Sequence, residues 1–265
     1  MRLLKDITLG QFFPGESVVH QLDPRTKLIL SLIVMSSLFS STAWLVFGVW
    51  TAVFLIALKA SSLQVSLVLK NLRPFRWLFA ITILLNLFYG SAEGKLLFRH
   101  GQIAVFDSQV SFAFLHSYRL ILFILFSSIL TLTTSPLEIT DALEKMLKPL
   151  KRVRFPVHEF TMMVSIAMRF IPTVLHEADR IRKAQLSRGA DFSGSLIRRI
   201  QALIPLTLPL FLSTFQRAEE VATAMEARCY DANASRSQFN QLVFAQKDVV
   251  LLLAGATLAM SLLIL

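Results

Sequence analysis

The chain is poor in the residues on which soluble chemistry usually depends. Of its 265 residues only 17% are charged, against about a quarter in ordinary globular domains, while 54% are hydrophobic and 22 are phenylalanine. A single cysteine, Cys229, excludes an intrachain disulfide and leaves no cysteine cluster for zinc. The opening residues MRLLKDITLGQFFPGES lack the apolar core of a signal peptide, so insertion into a membrane is expected to rely on internal segments. Charge of either sign is absent from residues 28–58, 77–92, 120–137, 200–216 and 249–265. Each of these is a candidate for membrane burial by length.

What is present is basic and apolar at once. Mean hydropathy is +0.60, the formal net charge is +10 and the isoelectric point is near 10.2. Such a charge could suit nucleic acid, but an apolar majority with basic clusters at its edges fits cytoplasmic loops facing anionic lipid, and no nucleic-acid partner is expected. The run 28–58 is too long for one span of about 20 residues and short for two, and its polar break Ser40-Ser41-Thr42 predicts a tight hairpin of short spans. Lys59, Lys70, Arg73 and Arg76 share one loop without an acid, which places that loop inside. The loop 93–119 balances Lys95 and Arg99 against Glu93 and Asp107 and falls outside by parity. Residues 138–199 hold twelve basic and seven acidic residues and form the large cytoplasmic segment.

Boundary chemistry agrees with this order. Asp23 before Pro24 reads as an N-cap with proline at the first helical position, flanked on the inner side by Arg25 and Lys27. Ser135-Pro136-Leu137-Glu138 reads as a capping box that opens an amphipathic helix, with Pro149 as its stop and a basic tail of Lys145, Lys148, Lys151, Arg152 and Arg154.

The most informative feature is a repeat with a forty-residue offset. Ala178, Asp179, Ile181, Ala184, Arg188 and Asp191 align with Ala218, Glu219, Val221, Ala224, Arg228 and Asp231. In each copy a stripe of small and apolar residues at helical spacing ends in an arginine. Small residues permit close approach, so the stripes Ala178, Ile181, Ala184 and Ala218, Val221, Ala224 are expected to cross and to present Arg188 and Arg228 together. The plainer alternative is a pair of ordinary helix ends, with arginine favouring the dipole and Gly189 as a left-handed cap. The repetition favours a shared role and a common side for both arginines. The stretch 200–216, with Pro205 and Pro209, is therefore read as an apolar part of a long helix packed within the protein and not as a crossing.

Signatures of catalysis fail at specific positions. His158-Glu159 meets Met162, and His176-Glu177 meets Arg180, where a zinc protease helix needs histidine. Gly90 to Lys95 is one residue short of a phosphate loop and is followed by Leu96 in place of a hydroxyl. No catalytic or metal-binding residue and no cofactor is expected. An intramembrane hydrolase would need an acid, base and nucleophile paired on one span. The main alternative from another class, a self-sufficient secondary permease, would carry Asp or Glu inside its spans, and the uncharged stretches hold none.

Taken together, these segments resemble the transmembrane T component of energy-coupling factor transporters, prokaryotic importers of vitamins and metal ions. ITLGQFFPGESVVHQLDPRTKLI is similar to the family's N-terminal signature. TTSPLEITDALEKMLKPLK, RFIPTVLHEADRIRKAQLSRGAD and AEEVATAMEARCYD are similar to its three coupling helices. Family members carry Ala-Arg-Gly at two helix ends, where this chain has Ser187-Arg188-Gly189 and Ala227-Arg228-Cys229. The N-terminal signature looks more like the shared type of component than the dedicated cobalt or biotin versions.

The resemblance implies a non-catalytic coupler. It would dock through these two triplets onto two separate ATPase subunits and hold a substrate-binding membrane S component within the lipid bilayer. The expected architecture is all-α, with about five spans and a cytoplasmic coupling domain of amphipathic helices. Residues 1–134 would form an N-terminal membrane domain of four spans, 135–248 the coupling domain with three coupling helices, and 249–265 the last span. The expected place is the prokaryotic cytoplasmic membrane, multi-pass, with the N-terminus inside and the C-terminus outside.

Overall fold

The structure is a computed structural model that describes residues 12–89, 96–100, 103–149, 157–190, 196–231 and 244–264. In chain order the helices are α1 (Val18–Gln21), α2 (Pro24–Ser40), α3 (Trp44–Ala60), α4 (Val65–Lys70), α5 (Arg76–Tyr89), α6 (Asp107–Thr133), α7 (Pro136–Leu147), α8 (Val157–Ser187), α9 (Leu196–Ala227) and α10 (Gln246–Ile264). A short antiparallel hairpin, β1 (Leu96–His100) and β2 (Ile103–Phe106), precedes α6. The protein is an all-α membrane protein apart from this hairpin, which lies in the segment expected to be a plain loop.

The chain divides into two compact units, Gly10–Ala142 with Leu242–Leu265 and Met1–Leu9 with Leu143–Gln241. The division falls inside α7 and between residues 241 and 242.

In the first unit, local chemistry sets the helix ends. The Asp23 carboxylate accepts the Arg25 backbone N–H at 2.9 Å, so α2 starts at Pro24. It stops at Ser40, and α3 resumes at Trp44 after a turn in which Ser41 Oγ accepts the Ala43 N–H at 3.2 Å. The 17 residues of α2 rise about 26 Å, slightly less than a hydrocarbon core of roughly 30 Å. Helices α6 and α10 are long and apolar enough to cross a membrane, with mean hydropathies of 1.7 and 1.4.

The core joins α2, α3, α6 and α10 through Leu38, Val46, Phe47, Trp50, Leu122 and Leu262, while Phe54, Val68, Leu125 and Ile129 extend it along α3, α4 and α6. Polar pairs bridge the helices within it: the Trp50 indole N–H donates to Ser37 Oγ at 3.1 Å, and the Thr51 and Tyr118 hydroxyls are 2.7 Å apart. Gly255 of α10 lies close against α2, where a Cβ would come within 2.6 Å of Leu30 Cδ2.

Helix α6 begins at Asp107 and not near residue 120, and this reassigns Arg119. The side chain read as the last residue of the loop is buried. Its Nη2 donates to the Ser41 carbonyl at 2.7 Å, and its guanidinium lies over the rings of Phe39 and Phe47. An uncharged run understates a helix whose polar residues face inward and find partners, as Ser117 Oγ does with the Ala113 carbonyl at 2.8 Å.

The second unit is built on two long helices, the 31-residue α8 and the 32-residue α9. Pro172 lies inside α8, and Pro205 and Pro209 lie inside α9. Residues 200–216 are part of one continuous helix, as the prolines suggested. They are not packed within the protein, however: Leu203, Ile204, Leu208, Phe211, Leu212 and Phe215 are all exposed. Clustering of apolar residues along a helix calls for a covering surface, but it does not say that the same chain supplies it.

Candidate functional site

The two repeat copies end α8 and α9 in the same way. At the end of α8 the Gly189 N–H donates to the Leu186 carbonyl at 3.0 Å and the Ala190 N–H to the Gln185 carbonyl at 3.0 Å. At the end of α9 the Cys229 N–H donates to the Glu226 carbonyl at 2.9 Å and the Tyr230 N–H to the Met225 carbonyl at 3.0 Å. Each pair is a complete Schellman cap, which satisfies the last helical carbonyls and requires a left-handed residue just past the end. Gly189 supplies it at φ +85° and Cys229 at φ +54°. Cys229 therefore takes the conformation of the glycine it replaces, a geometry that ordinarily costs an L-residue about 1–2 kcal/mol.

Both caps place an arginine immediately before the left-handed residue. Arg188 and Arg228 are exposed, and among the described residues neither has a side-chain partner. Ser187, Gly189, Ala227 and Cys229 are exposed beside them. The tips thus offer unengaged guanidinium groups on stiff, fully capped helix ends, suited to forked hydrogen bonding with carboxylates.

The stripes behave differently from their arginines. Ala178, Ile181 and Val221 are half-buried, whereas Ala184, Ala218 and Ala224 are exposed. The contact between α8 and α9 lies further back on α8. Phe170 packs there against the guanidinium of Arg217, 6.0 Å from the ring centroid, and Ile166, Phe170 and Val174 face Ala218, Val221 and Met225 across a groove of about 590 Å³. Ala218 and Val221 therefore meet earlier residues of α8 and not their repeat equivalents. A tight crossing at Ala184 and Ala224 would bury both, so the described structure does not place it there. Phe170 and Ile166 of α8, about two and three turns before the repeat begins, carry the contact, and a search for matching small residues overlooks them.

One difference between the copies is electrostatic. Asp179 pairs with Lys183 at 2.8 Å and with Arg182 at 2.8 Å, and the hydrogen bond from Lys183 chiefly holds its carboxyl below the usual carboxylate range. The equivalent Glu219 has Ala222 and Thr223 at those spacings and no such pair is available to it. Asp191, the basic residues Lys151, Arg152 and Arg154, the side chain of His158 and the loop Gly90 to Lys95 lie outside the described residues.

A second constellation, in the other unit, was not foreseen as a site. Lys27, counted by its sequence position as an inner-flank charge, is 7% exposed. Its ammonium donates to the His20 carbonyl at 3.0 Å and to the Thr133 carbonyl at 3.0 Å. The Asp23 N–H donates to Asp248 Oδ1 at 3.1 Å, and Asp248 Oδ2 accepts the Ala245 N–H at 2.9 Å at the start of α10. Arg25 stacks over Phe244 at 4.8 Å. These residues tie together the beginnings of α2 and α10 and the end of α6. The sequence signal was present in the density of charge around Asp-Pro-Arg-Thr-Lys, but its partners are more than a hundred residues away.

The model of the family described as "Cobalt transport protein" matches residues 15–239. The chain is 45% identical over 254 residues to the energy-coupling factor transporter transmembrane protein EcfT of Heliobacterium modesticaldum, covering 95% of this chain and 94% of that one. It is 44% identical over 252 residues to the protein of that name from Ruminiclostridium cellulolyticum, with 94% and 92% covered. To its namesake in Brevibacillus brevis it is 42% identical over 257 residues, with 97% of each chain covered. A family match over most of the chain and relatives above 40% identity along nearly its whole length show that the chain belongs to the family of energy-coupling factor transporter transmembrane proteins.

Proposed function

We propose that this chain is the non-catalytic coupling subunit of an ATP-driven importer of vitamins or other micronutrients. In this reading two separate ATPase subunits dock on Arg188 and Arg228, each framed by its triplet, Ser187-Arg188-Gly189 and Ala227-Arg228-Cys229. A substrate-binding membrane subunit, together with lipid, covers exposed apolar surface such as Phe211 and Phe215 of α9 and Trp77 and Phe88 of α5. The observation that carries the reading is the pair of identical Schellman caps, each presenting an exposed, unengaged arginine. Residues 135–248 act as the cytoplasmic coupling domain.

The bonds Lys27 to Thr133 and Asp23 to Asp248 support a common side for the start of α2, the end of α6 and the start of α10. We read that common side as the cytoplasmic one, which makes the chain a multi-pass protein with its N-terminus inside. When ATP draws the ATPases together, the docked tips move, and the change passes as a shear along α8 and α9 to the membrane helices.

The test is a pull-down from solubilised membranes, paired with an uptake assay at matched expression. Each single Arg→Ala substitution removes one partner of a buried interfacial charge pair, a loss of about 2–5 kcal/mol, and weakens copurification of the ATPases. The intact second tip retains part of the binding, because its engagement is effectively intramolecular. The double variant Arg188→Glu/Arg228→Glu abolishes both copurification and uptake while the chain remains in the membrane. ATPase recovered at the parental level with that double variant would reduce both arginines to ordinary helix ends.

A further inference from the structure

Only Thr134 and Ser135 separate the last residue of α6 from the first of α7, so the direction of α7 depends on very few backbone dihedrals. Both sides of this corner are held. On the α6 side two of the terminal carbonyls, which have no partner within the helix, are engaged by distant donors: the Phe13 N–H reaches the Leu132 carbonyl at 2.9 Å, and the Lys27 ammonium reaches the Thr133 carbonyl at 3.0 Å. On the α7 side Glu138 accepts the Ser135 N–H at 3.0 Å, and Ser135 Oγ accepts the Glu138 N–H at 3.2 Å, a reciprocal capping box. Thr133 and Thr134 are each 1% exposed, so water does not compete for these groups.

Lys27 is itself fixed from behind. Its second bond goes to the His20 carbonyl, and four residues earlier in the chain Asp23 is bonded through its N–H to Asp248 of α10. One ammonium therefore closes a ring of contacts among the start of α2, the end of α6 and, through Asp23, the start of α10.

The geometry points to Lys27 as a positioning residue for transport: it sets and stiffens the angle at which α7 leaves α6, so that displacement of α7 moves α2, α6 and α10 together. A lysine needed only for folding would not have to bond the one carbonyl that borders the corner. The inference rests on the coupling reading above, in which α7 is the first coupling helix, and its test is built to fail separately from that reading.

The experiment uses the full-length chain with Cys229→Ser and spin labels at Thr131→Cys on α6 and Asp141→Cys on α7, both within the first unit, reconstituted in lipid nanodiscs. The interlabel distance distribution is compared with Lys27 intact, as Lys27→Met and as Lys27→Arg. The expected result is a narrow distribution for the parent, at least a doubling of its width for Lys27→Met, and recovery by Lys27→Arg, which can still donate to the carbonyls. Should Lys27→Met not insert, Lys27→Gln, neutral and too short to reach both carbonyls, reads the same width.

The unlabelled variants are then assembled with the ATPase and substrate-binding subunits in proteoliposomes. Lys27→Met is expected to retain the ATPases and ATP hydrolysis but to lose about tenfold in substrate taken up per ATP. An unchanged distance width, or an unchanged uptake per ATP in the assembled variant, overturns the positioning role and leaves Lys27 a folding residue. Failure of the parent chain itself to bring down ATPase subunits would instead overturn the coupling reading.

Discussion

Replacing Cys229 with glycine should tighten the end of α9, and the structure gives the size of the effect. Cys229 occupies φ +54° in a cap bonded like the one at Gly189, so its Cβ contributes strain without gaining a different hydrogen-bond pattern. Relief of left-handed strain is worth about 1–2 kcal/mol, and the added freedom of glycine in the opened chain returns about 0.4–1 kcal/mol. The net gain, about 0.8 kcal/mol at mid-range within about 0–1.6, corresponds to roughly a fourfold reduction in local opening.

Gly189→Ala is the mirror experiment. A Cβ at Gly189 would meet nothing within 4 Å, so the substitution adds backbone strain without a clash, and the last turn of α8 should open several-fold more often. Amide hydrogen exchange, followed at Cys229 and Tyr230 in one variant and at Gly189 and Ala190 in the other, reads both effects directly. Exchange that is unchanged or faster in Cys229→Gly, with Gly189→Ala also silent, would refute the claim that left-handed backbone strain limits the stability of these two caps.

Two other outcomes follow from particular contacts. Asp179→Asn should remove a pH-dependent contribution to α8: a carboxyl held below its ordinary value stabilises the helix above the unfolded pKa, near 3.9, and that contribution disappears as pH falls through the lower folded value. Exchange along α8 measured at neutral pH and near pH 3 should therefore differ less in the variant than in the parent, and the effect should be small because the pair is solvated. Gly255→Ala should force Leu30 away from its rotamer at about 0.5–1.5 kcal/mol, and Leu30→Ala in the same chain should recover part of that loss in a double-mutant cycle read by thermal unfolding in detergent. Additive losses would place the α2–α10 contact elsewhere.

Much of the local structure was legible in residue order because its causes are local. The Asp23-Pro24 start of α2, the Ser40–Thr42 break, the Ser135/Glu138 capping box and the left-handed Gly189 each arise from atoms within four residues of one another, and each occurs as the sequence pattern indicates. The forty-residue repeat likewise located two equivalent helix ends. Repetition also proved a better guide to Cys229 than residue identity, since two backbone hydrogen bonds hold cysteine in a conformation it does not prefer.

What residue order did not decide was which surfaces meet. Arg119 and Lys27 were assigned by position to an outer loop and an inner flank, yet both are buried, because carbonyls at Ser41 and Thr133 lie across the fold and satisfy their charges. The alanine stripes have the spacing of a helix crossing, but Ala184 and Ala224 remain exposed while Phe170 takes the contact with α9. Periodicity identifies a face that can pack without naming its partner. The sequence by itself determined an all-α membrane chain with two matched, arginine-tipped helices, because capping, hydropathy and repetition act over a few residues. Only the tertiary structure decided that Lys27 joins α2 to the α6–α7 corner, because a hydrogen bond spanning more than a hundred residues depends on how the helices are brought together and leaves no periodic trace in the chain.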